Sequence, residues 1–241
     1  MNRYKYAKAI DRRRAAWDKK MAKRLRGYFR RERKAVLEAL ANGVDYAIAV
    51  NNVSAELERI LAYYYVKVFN DFARDRYQNN ADAKDIATIL AEYEAAVAPL
   101  MAIIADKVVG INAYTIKRIN QAITKARGAG GTVGEVQQAI MDEVGLTFKS
   151  MTQSRALTIA RTEVGTVASF GQEESFRQSG FEKKEWNALN DNLTRDSHLE
   201  LDGEIVGIND KFSNGLKRPL DPNGTASQII NCRCVLMPVV E

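Results

Sequence analysis

The chain's single histidine and its two cysteines fall in one stretch, from Trp186 to Cys234. Cys232 and Cys234 are two apart in a predicted strand, which sends both side chains to one face. Two such sulfurs suit a soft metal ion, and His198 can add a nitrogen. Asp191, Asp196 or Asp202 can complete a tetrahedral zinc site, and Asp202 is taken as the fourth ligand. The competing reading has the thiols packed as small apolar groups and His198 hydrogen-bonded to a carboxylate. Two catalytic arrangements can be drawn from the same residues. In one, Asp191, His198 and Asn231 form a metal-dependent nuclease, with His198 as general base. In the other, Cys232 is a nucleophile activated by His198. A lone histidine, no carboxylate cluster and no activating cation besides Arg233 leave both thin, so the chain is expected not to be an enzyme and to hold no cofactor beyond a structural zinc. Arg161, Glu163, Trp186, Asp191, Arg195 and Asn231 read instead as a structural cluster, whose charge-assisted hydrogen bonds lock loops onto the last long helix.

The elements that position these residues change character at Gly180. Beyond it turn signals multiply, at Asn190-Asp191-Asn192, Asp202-Gly203, Asn214-Gly215 and Asp221-Pro222-Asn223-Gly224. Short strands are predicted at 184–189, 204–206 and 230–238, with a helical turn or two over 194–199. Before Gly180 the pattern is helical. Ile10, Trp17, Met21, Leu25, Tyr28 or Phe29, Val36 and Leu40 form a first stripe that ends at Asn42-Gly43. Val53, Leu57, Ile60, Leu61, Tyr64, Val68 and Phe72 form a second, with Asn51 or Asn52 as cap. One or two rings of Tyr63-Tyr64-Tyr65 should face the core rather than stack on bases. A third helix starts near Asn80 or Asp82, carries Ile86, Ile89, Leu90, Tyr93, Val97, Leu100 and Ile104, and is kinked or broken at Pro99. Helical spacing continues to Arg127, and Gly128-Ala129-Gly130-Gly131 is a hinge. Thr132 and Glu135 form a capping box for a short helix that Gly145 ends. Ser150 or Thr152 opens a longer one that stops at Gly180. The fold class is α+β: a basic helical region (1–128), capped helices (129–181) and a small, loop-rich β module (182–241).

Net charge is +6, concentrated at one end: residues 1–40 hold 15 Lys+Arg against 4 Asp+Glu, which leaves 21 against 26 for the rest. Arg12, Arg13, Arg14, Lys19, Lys20, Lys23, Arg24, Arg30, Arg31 and Arg33 cover the faces that the first apolar stripe leaves free. Such asymmetry suits double-stranded DNA, and a solvated helix face is the alternative. No uninterrupted apolar run approaches a membrane span, no secretory signal is evident, and a Cys-x-Cys pair is no disulfide framework, which suits a reducing cytoplasm.

In order along the chain stand Arg155-Ala156, Ile159-Ala160-Arg161-Thr162-Glu163, Lys184-Glu185-Trp186, Asp191, Arg195, His198, Leu201-Asp202-Gly203 and Asn231-Cys232-Arg233-Cys234. With this series the chain resembles the Mu F-like phage head morphogenesis family, the minor capsid proteins of tailed phages. The resemblance covers roughly residues 150 to 238. It implies a virion component on the capsid interior, assembled in the host cytoplasm. Its implied partners are the portal and capsid or scaffold proteins, with an influence on DNA packaging or ejection.

Overall fold

The computed structural model describes residues 2–74, 95, 97–128 and 130–240. The described residues are 70% helical with one small sheet near the C-terminus, which makes the fold α+β. Helix α1 runs Arg3–Ala41. Its apolar stripe is buried at Ile10, Met21, Leu25, Tyr28, Phe29 and Val36. Gly43 (φ 66) then adopts the left-handed conformation, and two hydrogen bonds close the end, Val44 N–H to Ala39 O and Gly43 N–H to Leu40 O. A residue with a Cβ is strained there, and this is why Asn42-Gly43 reads as a stop.

Helices α2 (Tyr46–Asn52) and α3 (Ser54–Ala73) follow. Asp45 caps α2 by accepting from Ala47 N–H, so Asn51 and Asn52 end one helix rather than cap the next. Of the three tyrosines, Tyr64 and Tyr65 are buried and Tyr63 is exposed. The third predicted helix falls, from its start through Tyr93, outside the described residues. Pro99 lies among helical residues 97–102, a turn at Ile103 comes after them, and α4 spans Ile104–Arg127.

Val97–Arg127 is long and apolar enough to cross a membrane by length and composition alone. Asp106, Lys107, Lys117 and Arg118 interrupt it, so it holds no long unbroken apolar run. Its Ile119 and Ala122 join Val36, Phe148 and Met151 in one core cluster, and 28% of its apolar window is buried.

Helix α5 is a single 46-residue helix, Val133–Gln178. The capping box at its start is present, with Thr132 N–H donating to Glu135 Oε2 (2.8 Å) and Glu135 N–H to Thr132 Oγ1 (3.4 Å). The expected break at Gly145 does not occur. A glycine inside a helix costs only about 1 kcal/mol relative to alanine, which burial of Val144 and Phe148 on either side offsets. Ser150 and Thr152 do not open a new helix either, because their hydroxyls donate back to Thr147 O and Phe148 O within α5. The helix ends where expected. Gly180 (φ 75) takes the left-handed position, Phe181 N–H reaches Phe176 O, and the two phenyl rings meet edge-on at 6.1 Å.

The sheet is antiparallel with strand order β2-β1-β3. Strand β1 is Lys183–Asn187, β2 Ile205–Gly207 and β3 Val235–Pro238. Glu185 faces Ile205 on one side and Met237 on the other. Cys232 and Cys234 therefore precede β3 rather than lie in it. Helix α6 (Asp196–Leu199) and helix α7 (Ala226–Ile229) are single turns between strands.

Two compact units are cut from this chain. The first joins Met1–Lys20, Tyr63–Met101 and Thr158–Glu241; the second joins Met21–Ala62 and Ala102–Leu157. The core beneath the sheet, in the first unit, gathers Phe176, Trp186, Leu201, Phe212, Leu216, Leu220, Cys232, Cys234 and Leu236. The second unit packs Val36, Val50, Ile119, Ala122, Val144, Phe148 and Met151.

Candidate metal centre

One helical turn, α6, carries His198 at its third position and buries it against the indole of Trp186, with ring centroids 5.4 Å apart. His198 Nδ1 lies 3.5 Å from Cys232 Sγ and 3.6 Å from Cys234 Sγ. All three side chains are buried. Two arginines hold the segments that carry them. Arg195, just before α6, donates to Ile230 O, and Arg233, between the cysteines, pairs with Asp191. Asn231 turns the chain at φ 57, and its N–H donates to Thr162 Oγ1 (3.2 Å) on α5. The Cys234 thiol, and after it His198, donate toward Cys232 and hold that thiol well below the usual range, against burial. Cys234 is pushed up by the same hydrogen bond and by its own burial.

Of the four residues expected around a metal, His198, Cys232 and Cys234 come together and Asp202 lies outside their group. Asp202 Oδ1 accepts from Ala188 N–H (2.8 Å) and Arg3 (3.1 Å), and Oδ2 accepts from Asn190 (2.9 Å). It is the brace of a turn. The nuclease grouping is likewise spread out: Asp191 is exposed and paired with Arg233, whose guanidinium holds its carboxyl below the ordinary carboxylate range even against some desolvation. The six residues read as one structural cluster serve separate contacts. Glu163 accepts from Tyr65 Oη of α3, Trp186 fills the core beneath the sheet, and Arg161 is exposed on α5.

Along α1 the basic residues divide. Arg12, Lys19 and Lys20 of the first unit are exposed, as are Lys23, Arg24, Arg30, Arg31 and Arg33 of the second. Arg31 is paired with Glu56, and half-buried Arg13 with Asp71. Arg14 is a correction to the DNA-facing set. It is buried, donating to Cys234 O (2.8 Å), Ser169 Oγ (2.8 Å) and Gln172 Oε1 (3.0 Å). Burial lowers its pKa from the arginine value, with Cys232 and Asp11 opposing. Its position betrays it: 7, 14, 21 and 28 lie on the stripe that packs inward, as Ala7, Met21 and Tyr28 do.

A second network was missed in the sequence. Glu173 on α5 accepts from Lys184 Nζ (2.6 Å) on β1 and from Arg218 (2.6 Å), and all three are buried. Burial lowers the Lys184 pKa while Glu173 raises it. No local spacing announces this triad, because its members come from a helix, a strand and a loop.

Residues 117–237 match the model of the family described as Phage Mu protein F like protein. A protein of Bacillus subtilis (strain 168), YqbB, is 37% identical over 112 residues, which is 42% of this chain and 37% of that protein. The minor head protein GP7 of Bacillus phage SPP1 is 29% identical over 132 residues, covering 52% of this chain and 41% of its own. A protein of Enterococcus faecalis (strain ATCC 700802 / V583) named NAD(+)--arginine ADP-ribosyltransferase EFV is 33% identical over 118 residues, 46% of this chain and 23% of that one. The chain spans less than half the length of each of these relatives. No solved structure matches it.

Proposed function

This chain belongs to the Phage Mu protein F like family, and on that premise we propose that it is a minor capsid protein of a tailed phage, built into the head during morphogenesis. The observation that carries this reading is the family match across residues 117–237, joined by the likeness to a phage minor head protein. In this reading the protein enters the capsid interior from the host cytoplasm and contacts portal and capsid or scaffold proteins. It meets double-stranded DNA through the outer residues of α1.

The exposed Arg12, Lys19, Lys20, Lys23, Arg24, Arg30 and Arg33 support the DNA contact. They are solvated, although Lys20 also lies near the Asp71 carboxylate, and such charges can neutralise phosphates. The role is non-catalytic. The ADP-ribosyltransferase name belongs to a protein of which this chain spans 23%, so it carries no activity across.

Particles purified from infected cells test the assembly role: the protein should copurify with heads and portal, and its absence from heads would sink that reading. For DNA, affinity should fall steeply with salt. Replacing Lys19, Lys20, Lys23 and Arg24 with alanine should reduce the salt slope by roughly one for each phosphate no longer neutralised, evenly across sequences. An unchanged slope removes DNA from the partners. Plasmid incubated with Mg²⁺, Mn²⁺ or Zn²⁺ should stay uncut, and cleavage lost in His198→Ala would favour a nuclease instead.

A further inference from the structure

The groups best suited to a soft metal ion converge in the first unit from two separate segments, the α6 turn and the lead-in to β3. His198 Nδ1, Cys232 Sγ and Cys234 Sγ form a group whose ligand atoms all lie within 4.8 Å of one another. Tetrahedral zinc, with Zn–N of about 2.0–2.1 Å and Zn–S of about 2.3 Å, sets its nitrogen and sulfur ligands roughly 3.6 Å apart. The two nitrogen–sulfur spacings, 3.5 and 3.6 Å, match that separation. A bare thiol–imidazole contact compensates His198 poorly. Sulfur is a weak hydrogen-bond partner, and both sulfurs face the same nitrogen, Nδ1, which has one proton or one lone pair to offer. An imidazole taken out of water for two weak contacts loses more than it regains, whereas a metal–nitrogen bond makes up the difference.

We propose that His198, Cys232 and Cys234 bind one zinc ion that staples the α6 turn to the lead-in of β3. The set is soft sulfur plus imidazole, which favours zinc over magnesium or calcium. No fourth His, Cys, Asp or Glu joins the group among the described residues, so the fourth position falls to a backbone carbonyl or a water. The site is closed by burial, and its role is structural. The module it serves has a small apolar core, and small cores gain most from a metal staple.

The test uses the full chain without a histidine tag, made in zinc-supplemented medium and dialysed. Elemental analysis should find about one zinc per chain. Cobalt exchanged into the protein should give the sulfur-to-metal charge-transfer band and the intense visible bands of a tetrahedral site. Asp202→Asn should keep the metal, and Cys232→Ser should lose it. Wild-type protein that melts cooperatively yet holds less than about a tenth of an equivalent, with no cobalt–sulfur band, overturns the proposal. So does a folded Cys232→Ser, Cys234→Ser double variant that retains full zinc, because the ion would then sit elsewhere. If the cysteine variants fail to fold, the wild-type metal content and cobalt spectrum still decide.

Discussion

Glu32 shows how one residue can set a pH response. It is fully buried on α1, accepts from Tyr28 Oη (3.1 Å), and faces the Arg155 guanidinium, which donates to Thr115 (2.8 Å). Burial raises its carboxyl to about 7 from an ordinary 4.5, with Arg155 opposing. Below 4.5 the group is protonated in both the folded and the unfolded chain and contributes nothing to the pH response. Between 4.5 and 7 the unfolded chain releases the proton and the folded one retains it, so stability falls as pH rises. The loss across that window is on the order of 3 kcal/mol. Glu32→Gln keeps the acceptor for Tyr28 and should flatten this slope, read from denaturant midpoints at several pH values. A slope undiminished by the substitution would place the titrating group elsewhere; Asp18, whose carboxyl burial raises to about 6, should leave a smaller slope of the same sign.

At the scale of elements, the contact of α5 with α3 in the first unit is set by a glycine. A Cβ at Gly171 would sit 3.0 Å from Phe69 O and from Phe72 Cβ, and 3.1 Å from Ala73 N. These are backbone and Cβ atoms, which cannot step aside as a flexible side chain can. Gly171→Ala should therefore destabilise the chain by about 1–3 kcal/mol despite alanine's better helix propensity. Gly134→Ala on the same helix meets open space and should be neutral or stabilising. Thermal melts of the two variants check the contrast. Equal behaviour would mean that the helices separate at no cost.

The whole molecule is not a string of segments. The first unit draws on Met1–Lys20, Tyr63–Met101 and Thr158–Glu241. The end of α5 and the C-terminal module lean on distant chain: Arg14 of α1 caps Cys234 O and reaches Ser169 and Gln172, Arg3 braces Asp202, and Tyr65 of α3 donates to Glu163. A fragment of residues 158–241 keeps the acceptors and loses the donors. It should show no cooperative unfolding transition by circular dichroism, whereas the full chain should. A cooperative melt of the fragment would show that these long-range contacts are dispensable.

Local chemistry made much of this legible in the sequence. The stops at Gly43 and Gly180, the capping box at Thr132 and Glu135, the three short strands and the gathering of His198, Cys232 and Cys234 each depend on a few neighbouring residues or on residue types that are rare in the chain. The family resemblance is carried by an ordered series of such residues, and residues 117–237 match that family's model. Tertiary structure alone decided what long-range burial controls. It carried α5 through Gly145, took Arg14 out of the basic face, joined Glu173, Lys184 and Arg218 in one buried triad, and spent Asp202 on a turn rather than on a metal. The physical reason is common to all four. A glycine's helical cost, or a charge's need for partners, is settled by what packs against it, and those neighbours lie tens to hundreds of residues away along the chain.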